Sequence, residues 1–114
     1  QMAGFPSVRQ RFDRAVSLTT LNATTVELVT ANKSSYQLTI KVGAITTTAP
    51  QLQLEGTNDN GASWVSIGSP LTAVASSTVD LFASSGNYER IRARVSTAGV
   101  GVTADYVLIK AYGI

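Results

Sequence analysis

Cysteine and histidine are both missing from the 114 residues of this chain. Without cysteine there is no disulfide framework, no thiolate nucleophile and no cysteine-ligated zinc or iron–sulfur site. Without histidine the usual general base near neutral pH and the commonest metal ligand are gone. Ser-His-Asp and Cys-His nucleophilic schemes are therefore excluded, as are histidine-based metal sites. Charge is scarce too: Asp, Glu, Lys and Arg make up 14% of the chain, against about 25% in an ordinary soluble domain. No apolar run approaches the roughly 18 residues of a membrane-spanning helix. The opening segment has charges without the apolar stretch of a signal peptide.

Ser, Thr and Ala take the place of the missing charges, and hydrophobic residues stand at an ordinary 44%. A surface of hydroxyls and methyls loses little solvation when a neighbour covers it. The same composition also suits a plain secreted-type β-domain. The net charge of +2 is unevenly spread. Arg9, Arg11 and Arg14 crowd the start, opposed there by Asp13. From residue 15 onward, six cations (Lys33, Lys41, Arg90, Arg92, Arg94, Lys110) balance six acids (Glu27, Glu55, Asp59, Asp80, Glu89, Asp105). So weak a field gives no basis for nucleic-acid binding.

The length fits one domain, able to bury a core without disulfides or metal. Residues 1–14 read as an N-terminal arm, broken by Gly4 and Pro6, with Phe5, Val8 and Phe12 among the arginines. Ser7 is placed to cap a short helical turn running to Arg14. The arm either packs on its own domain or reaches a neighbouring subunit. Residues 15–114 read as the β-domain. Strands are expected over 15–20, 24–30, 36–42, 52–56, 63–67 and 78–82, then 88–97 and 102–112. Loops are expected at 46–50 and at Gly68-Ser69-Pro70. Tyr36, Leu38, Ile40 and Val42 alternate toward the core, with Gln37, Thr39 and Lys41 facing out. About seven or eight short strands at this spacing predict an all-β fold, an antiparallel β-sandwich or jelly-roll-like domain.

The last two strands read as a hairpin. A type II′ turn over Gly99-Val100, with Gly first, sets Arg94 opposite Asp105 and Glu89 opposite Lys110. It also sets Ile91 opposite Leu108 and Ala93 opposite Tyr106. Arg90 and Arg92 then lie beside Ile109 and Val107 on one face. Burying that face would strand guanidinium groups at a cost of several kcal/mol, so it is expected to look outward as a contact surface.

The segment Thr57-Asn58-Asp59-Asn60-Gly61-Ala62-Ser63-Trp64 resembles the Asp-box pattern. Its spacing has a structural reason: Asp59 caps turn amides, Gly61 takes a positive φ and Trp64 packs over the hairpin. Asn58, Asp59 and Asn60 offer oxygens that a calcium ion could use, but the loop lacks the distal bidentate glutamate of an EF-hand, and no metal or other cofactor is expected. Glycosidase chemistry needs two facing carboxylates, whereas the seven acids are scattered. No catalytic residue emerges. Two N-glycosylation triplets, at Asn22 and Asn32, arise by chance in so Ser/Thr-rich a chain. Trp64, Tyr36, Tyr88, Tyr106 and Tyr112 could build a sugar platform. Core or strand-flank positions suit them better, with Tyr36 and Tyr106 on the expected core faces.

Residues 52–68, together with Tyr88–Val95 and Val107–Gly113, resemble a pattern of small tailed-phage virion proteins: strand, N-D-x-G-x-x-W hairpin, strand, then late strands. The resemblance covers roughly residues 50–112 and is nearest to head decoration, or cement, proteins. It implies a non-enzymatic protein on the capsid exterior, a homotrimer clamping major capsid subunits, often with an extended arm. Phe5, Arg9, Arg11, Phe12 and Arg14 of the arm, with Arg90, Arg92, Val107 and Ile109, are the expected partner contacts. Asp59, Gly61, Trp64 and Gly99 are the expected turn residues. No small-molecule substrate, nucleic acid or membrane is expected as partner. The alternative reading is a carbohydrate-binding or adhesin-like module of a tail fibre, tail or neck.

Overall fold

The computed structural model describes residues 7–31, 33–84 and 86–113. Eight strands are formed among them: β1 (Ser7–Asp13), β2 (Leu28–Val29), β3 (Ser35–Thr48), β4 (Gln51–Thr57), β5 (Val65–Thr72), β6 (Ser77–Ala83), β7 (Arg90–Thr97) and β8 (Val100–Gly113). They build two four-stranded antiparallel sheets, ordered β1-β8-β3-β6 and β2-β7-β4-β5. The pairs are nested: first strand with last, second with seventh, third with sixth, fourth with fifth. Alternate pairs fall in alternate sheets, so all but one of the connections cross between the layers.

The core follows from period-two alternation on the inner faces. Tyr36, Leu38, Ile40 and Val42 of β3 are at most 2% exposed. Leu52 and Leu54 of β4 face them, with Ile91, Ala93 and Val95 of β7. Each of the large aliphatics contributes roughly 1.5–3 kcal/mol through burial. The Tyr36 hydroxyl is satisfied at the core's edge: it donates to the Lys33 carbonyl at 2.9 Å and accepts from the Tyr88 amide at 3.1 Å.

Several expectations change. Ser7–Asp13 is an edge strand paired residue by residue with β8, not a helical turn; of the two placements expected for the arm, this segment takes the one on its own domain. Its alternation of Val8, Gln10 and Phe12 with Arg9, Arg11 and Asp13 suits a sheet edge. Residues 15–27 are loop and turn, tied to β7 through a Thr24–Arg94 bridge, and β2 is only two residues long. The expected loop at 46–50 is largely strand, because β3 runs on to Thr48.

Gly68-Ser69-Pro70 does not end β5. Leu52 pairs with Leu71 and Leu54 with Ile67, so the extra residues form a bulge. Gly68 takes φ 71° there. The buried Gln53 amide donates to the carbonyls of Leu54, Ile67 and Gly68 at 2.9, 3.2 and 3.1 Å. A bulge leaves carbonyls unpaired, and Gln53 supplies the missing donor.

The largest correction concerns the end of the chain. β7 and β8 lie in different sheets, so the expected Gly99-Val100 hairpin does not exist. Arg94 faces Gln53, not Asp105, and Lys110 faces Gln10 and Gln37, not Glu89. Gly99 sits at a crossover, where its amide donates to the Leu18 carbonyl at 2.8 Å and a methyl on its α-carbon would press on Val102 and Pro50. The positive φ falls two residues later, at Gly101 (68°). Without the hairpin, β8 turns its other side inward. Val107 and Ile109, expected at an exposed contact face, are each 1% exposed in the core. Tyr106, expected inside, lies on the outer face.

Candidate functional site

The two outer sheet faces differ in chemistry. On the β2-β7-β4-β5 sheet, Arg90, Arg92 and Arg94 project outward in a row, as their alternation with Ile91, Ala93 and Val95 requires. Each finds a carboxylate. Arg90 Nη1 lies 2.5 Å from Glu27 Oε1. Arg92 Nε and Arg94 Nε hold the two oxygens of Glu55, each at 3.0 Å. Asn60 and Asn22 accept further bonds from Arg90 and Arg94. The Arg92 guanidinium carbon stands 4.0 Å from the Trp64 ring centroid, a cation–π distance. Strand spacing could place the arginines on one face but could not supply Glu55 and Glu27, because both partners come from other strands or loops.

The Asp59 hairpin borders this face. Asp59 accepts from the Ser63 amide (2.9 Å), the Ser63 hydroxyl (2.5 Å) and the Thr57 hydroxyl (2.9 Å). The Ser63 hydroxyl and amide, with Thr57, hold the Asp59 carboxyl at about 2, below its usual value. Asn60 and Gly61 take φ of 59° and 88°, and Trp64 packs beside Gly61. Thus Asp59, Gly61 and Trp64 shape a turn. Among the described residues no group of three or more Asp or Glu could hold a metal ion.

The outer face of the β1-β8-β3-β6 sheet carries Val8, Gln10 and Phe12 from β1, and Tyr106, Leu108, Lys110 and Tyr112 from β8. Gln37, Thr39 and Lys41 of β3 and Thr78, Asp80 and Phe82 of β6 complete it. Phe82 is 68% exposed, Val8 50% and Phe12 45%. The middle of the face is a closed hydrogen-bond chain. The Tyr112 hydroxyl donates to Gln37 Oε1 at 2.6 Å, Gln37 Nε2 to Asp80 at 3.1 Å, and Thr39 also donates to Asp80. Phe12 meets Tyr106 edge-on at 5.2 Å. Arg14 lies over both rings, at 5.5 and 5.6 Å, and Lys41 over Tyr106 at 5.9 Å.

Of the expected partner contacts, this face brings together Phe12 and Arg14, with Arg9 and Arg11 exposed on the adjoining edge strand. Arg90 and Arg92 lie on the opposite face, Val107 and Ile109 are core, and Phe5 lies outside the described residues. Phe82, Tyr106 and Tyr112, which are not among the expected partner contacts, also lie on this face. The signal for Phe82 was present: it alternates with Leu81 and Ala83 beside an outward Asp80. A small polar hollow of about 320 Å³ lies between Ala31, Asn58, Asn87, Tyr88 and Glu89, where the Asn58 side chain bonds the Asn87 carbonyl and the Glu89 amide at 2.9 Å each.

Two facing antiparallel sheets with one core define an all-β sandwich. Along its whole length the chain is similar to the crystal structure of the SPBc2 prophage-derived protein YomS. The TM-score is 0.60, the sequence identity 13%, and 99% of each chain is covered. At that identity the likeness establishes a shared fold. No family model matches the chain, and no curated protein matches it in sequence.

Proposed function

We propose that this chain is a non-enzymatic structural protein of a phage particle, and within that class a capsid decoration or cement protein. It would sit on the capsid exterior, against the major capsid protein and its own copies as a homotrimer. The observation that carries the reading is the sheet face around Phe82, Phe12 and Tyr106, where aromatic and aliphatic groups lie exposed among uncharged Gln and Thr. Such a face is apolar enough to gain from being covered and polar enough to stay soluble until then.

Three further points support it. The nested pairing of eight strands is compatible with a jelly-roll plan, which recurs in viral capsid domains. The whole-length fold likeness is to a prophage-derived protein. Five of the seven carboxylates are engaged structurally: Glu27 and Glu55 with arginines, Asp13 and Asp59 with turn amides, Asp80 with Thr39 and Gln37. The mechanism is added buried area at junctions between shell subunits, repeated by symmetry. Substrate, nucleic acid and membrane have no part in it.

The test is to assemble particles with and without the chain and heat both. Particles carrying it are expected to rupture at higher temperature. Equal rupture temperatures, or absence of the chain from purified particles, would sink the decoration reading.

A further inference from the structure

Each sheet has two edges, and edge strands are ordinarily guarded against pairing by brevity, bulges, proline or charge. β2 is two residues long, and β5 is interrupted by its bulge and by Pro70, which has no amide hydrogen. β1 sets Arg9 and Arg11 on its inner side, level with the buried Ala111 and Ile109 of β8. β6 carries none of these devices. Its seven residues, Ser77–Ala83, pair with β3 in unbroken register and include no Lys, Arg, Pro or Gly. Its one charge, Asp80, is held toward β3 by Gln37 and Thr39. Among the described residues, none outside β3 is hydrogen-bonded to the β6 backbone.

We infer that the open edge of β6 takes the β1 strand of a second copy of this chain, running antiparallel, so that copies join head to tail. This rests on the homotrimer in the reading above and deepens it by naming the junction. Register selects the occupant, because a strand of the required length and pattern is already present on the chain. β1 and β6 are each seven residues long. They are the two edges of one antiparallel sheet. With three junctions between them, the ladder can continue from β6 to a neighbour's β1 with outward side chains meeting outward ones. At full overlap, Val8 of one copy stands opposite Phe82 of the next, Gln10 opposite Asp80 and Phe12 opposite Thr78. Val8 and Phe82, 50% and 68% exposed in the single copy, then cover each other. On the inner side, the aliphatic stems of Arg9 and Arg11 lie over Leu81 and Val79, which one copy alone leaves partly buried. No like charges stand opposite one another. The symmetric alternatives fail on that count. At full overlap, β6 against β6 sets Asp80 beside Asp80, and β1 against β1 sets Arg9 beside Arg11; like charges directly opposite destabilise a ladder. Head-to-tail contacts close into a ring where the rotation allows, and three such junctions make the trimer.

The chain has no cysteine, so introduced thiols report the junction directly. Within one copy, Val8 and Phe82 lie on opposite edges of a four-stranded sheet, about 14 Å apart at ordinary strand spacing, beyond the roughly 7 Å that a disulfide spans. The double variant Val8→Cys/Phe82→Cys is oxidised as purified full-length chain and on particles carrying it. It is expected to give covalent trimers that a reductant dissolves. Each single variant alone should give no link, and a mixture of the two should give only pairs joining one of each. In the double variant, Gln10→Glu, set opposite Asp80, should lower the yield of links about 1.5- to 5-fold, and Gln10→Lys should raise it by a similar factor. Links formed by either single variant alone, a link from Phe82→Cys to a different polypeptide, or equal yields from the two Gln10 variants would overturn the inference. So would the lack of any link from the double variant both in solution and on particles. Trimers that form without this link would overturn the junction and leave the homotrimer standing. Links formed in solution by a chain absent from purified particles would keep the junction and overturn the virion reading.

Discussion

At the scale of single residues, the polar groups inside this sandwich are placed by the same alternation that places the apolar ones, and each is answered. Tyr36 is the clearest case. Its ring is core, and its hydroxyl joins the loop before β3 to the loop before β7. Tyr36→Phe keeps the ring but leaves the Tyr88 amide and the Lys33 carbonyl without that partner. The expected loss is about 1–3 kcal/mol, read as a lower urea midpoint at unchanged slope. Burial also raises the Tyr36 pKa above 10. The folded chain then holds a proton that the unfolded chain releases, so stability is full below pH 10 and declines as pH rises beyond it. Tyr36→Phe should remove that alkaline decline, as followed by circular dichroism. Asp59 behaves oppositely. Its carboxyl is lowered from 3.8 to about 2 by Ser63 and Thr57. Its contribution to the hairpin is present above pH 4 and lost as pH falls through about 2. Exchange protection of the Ser63 amide, together with the Asp59 carboxyl chemical shift, should titrate there rather than near 4.

At the scale of elements, the two kinds of glycine in the β4–β5 pair separate conformation from space. A methyl at Gly68 would meet Leu81 at an ordinary 3.5 Å, so Gly68→Ala is opposed by its φ of 71°, at about 1–2 kcal/mol. A methyl at Gly56 would enter the Tyr88 ring, which packs 5.8 Å from Tyr36. Gly56→Ala should therefore cost more, about 3 kcal/mol if the ring must move, and should disturb the near-ultraviolet tyrosine signal that Gly68→Ala leaves intact. Equal losses and unchanged spectra in both would refute this division. The same contrast explains what could be read in advance. Tyr36–Val42 and Arg90–Val95 alternate apolar with polar, so their faces are legible from spacing alone. Tyr106-Val107-Leu108-Ile109 is apolar at every position and carries no phase. The phase assigned to it came from an assumed turn at Gly99, and with that turn wrong the whole strand was reversed. Partner choice is equally invisible locally. Glu55 belongs to Arg92 and Arg94 because β4 lies beside β7, and nothing near residue 90 states that.

At the scale of the molecule, the nested pairing joins the first strand to the last, and β1 is held to β8 across almost the whole chain. Closing so long a loop is entropically costly before any contact rewards it. The chain is therefore expected to fold in milliseconds to seconds, the range of sandwiches rich in distant pairings. The inner strands β3, β4, β7 and β8 should assemble before β1 is added at the edge. Asp13 lets this be tested at one residue. Its carboxylate fastens the end of β1, accepting from the Ala15, Val16 and Val26 amides at 2.8, 3.0 and 3.1 Å. Asp13→Ala should cost about 1–3 kcal/mol, since three partly buried amides lose a charged acceptor. If β1 docks late, that loss falls on the unfolding limb of the chevron, with unfolding faster by about 5- to 150-fold and refolding changed less than about twofold. Should refolding slow by the larger factor instead, β1 belongs to the nucleus and the edge strand is what organises the β1-β8-β3-β6 sheet.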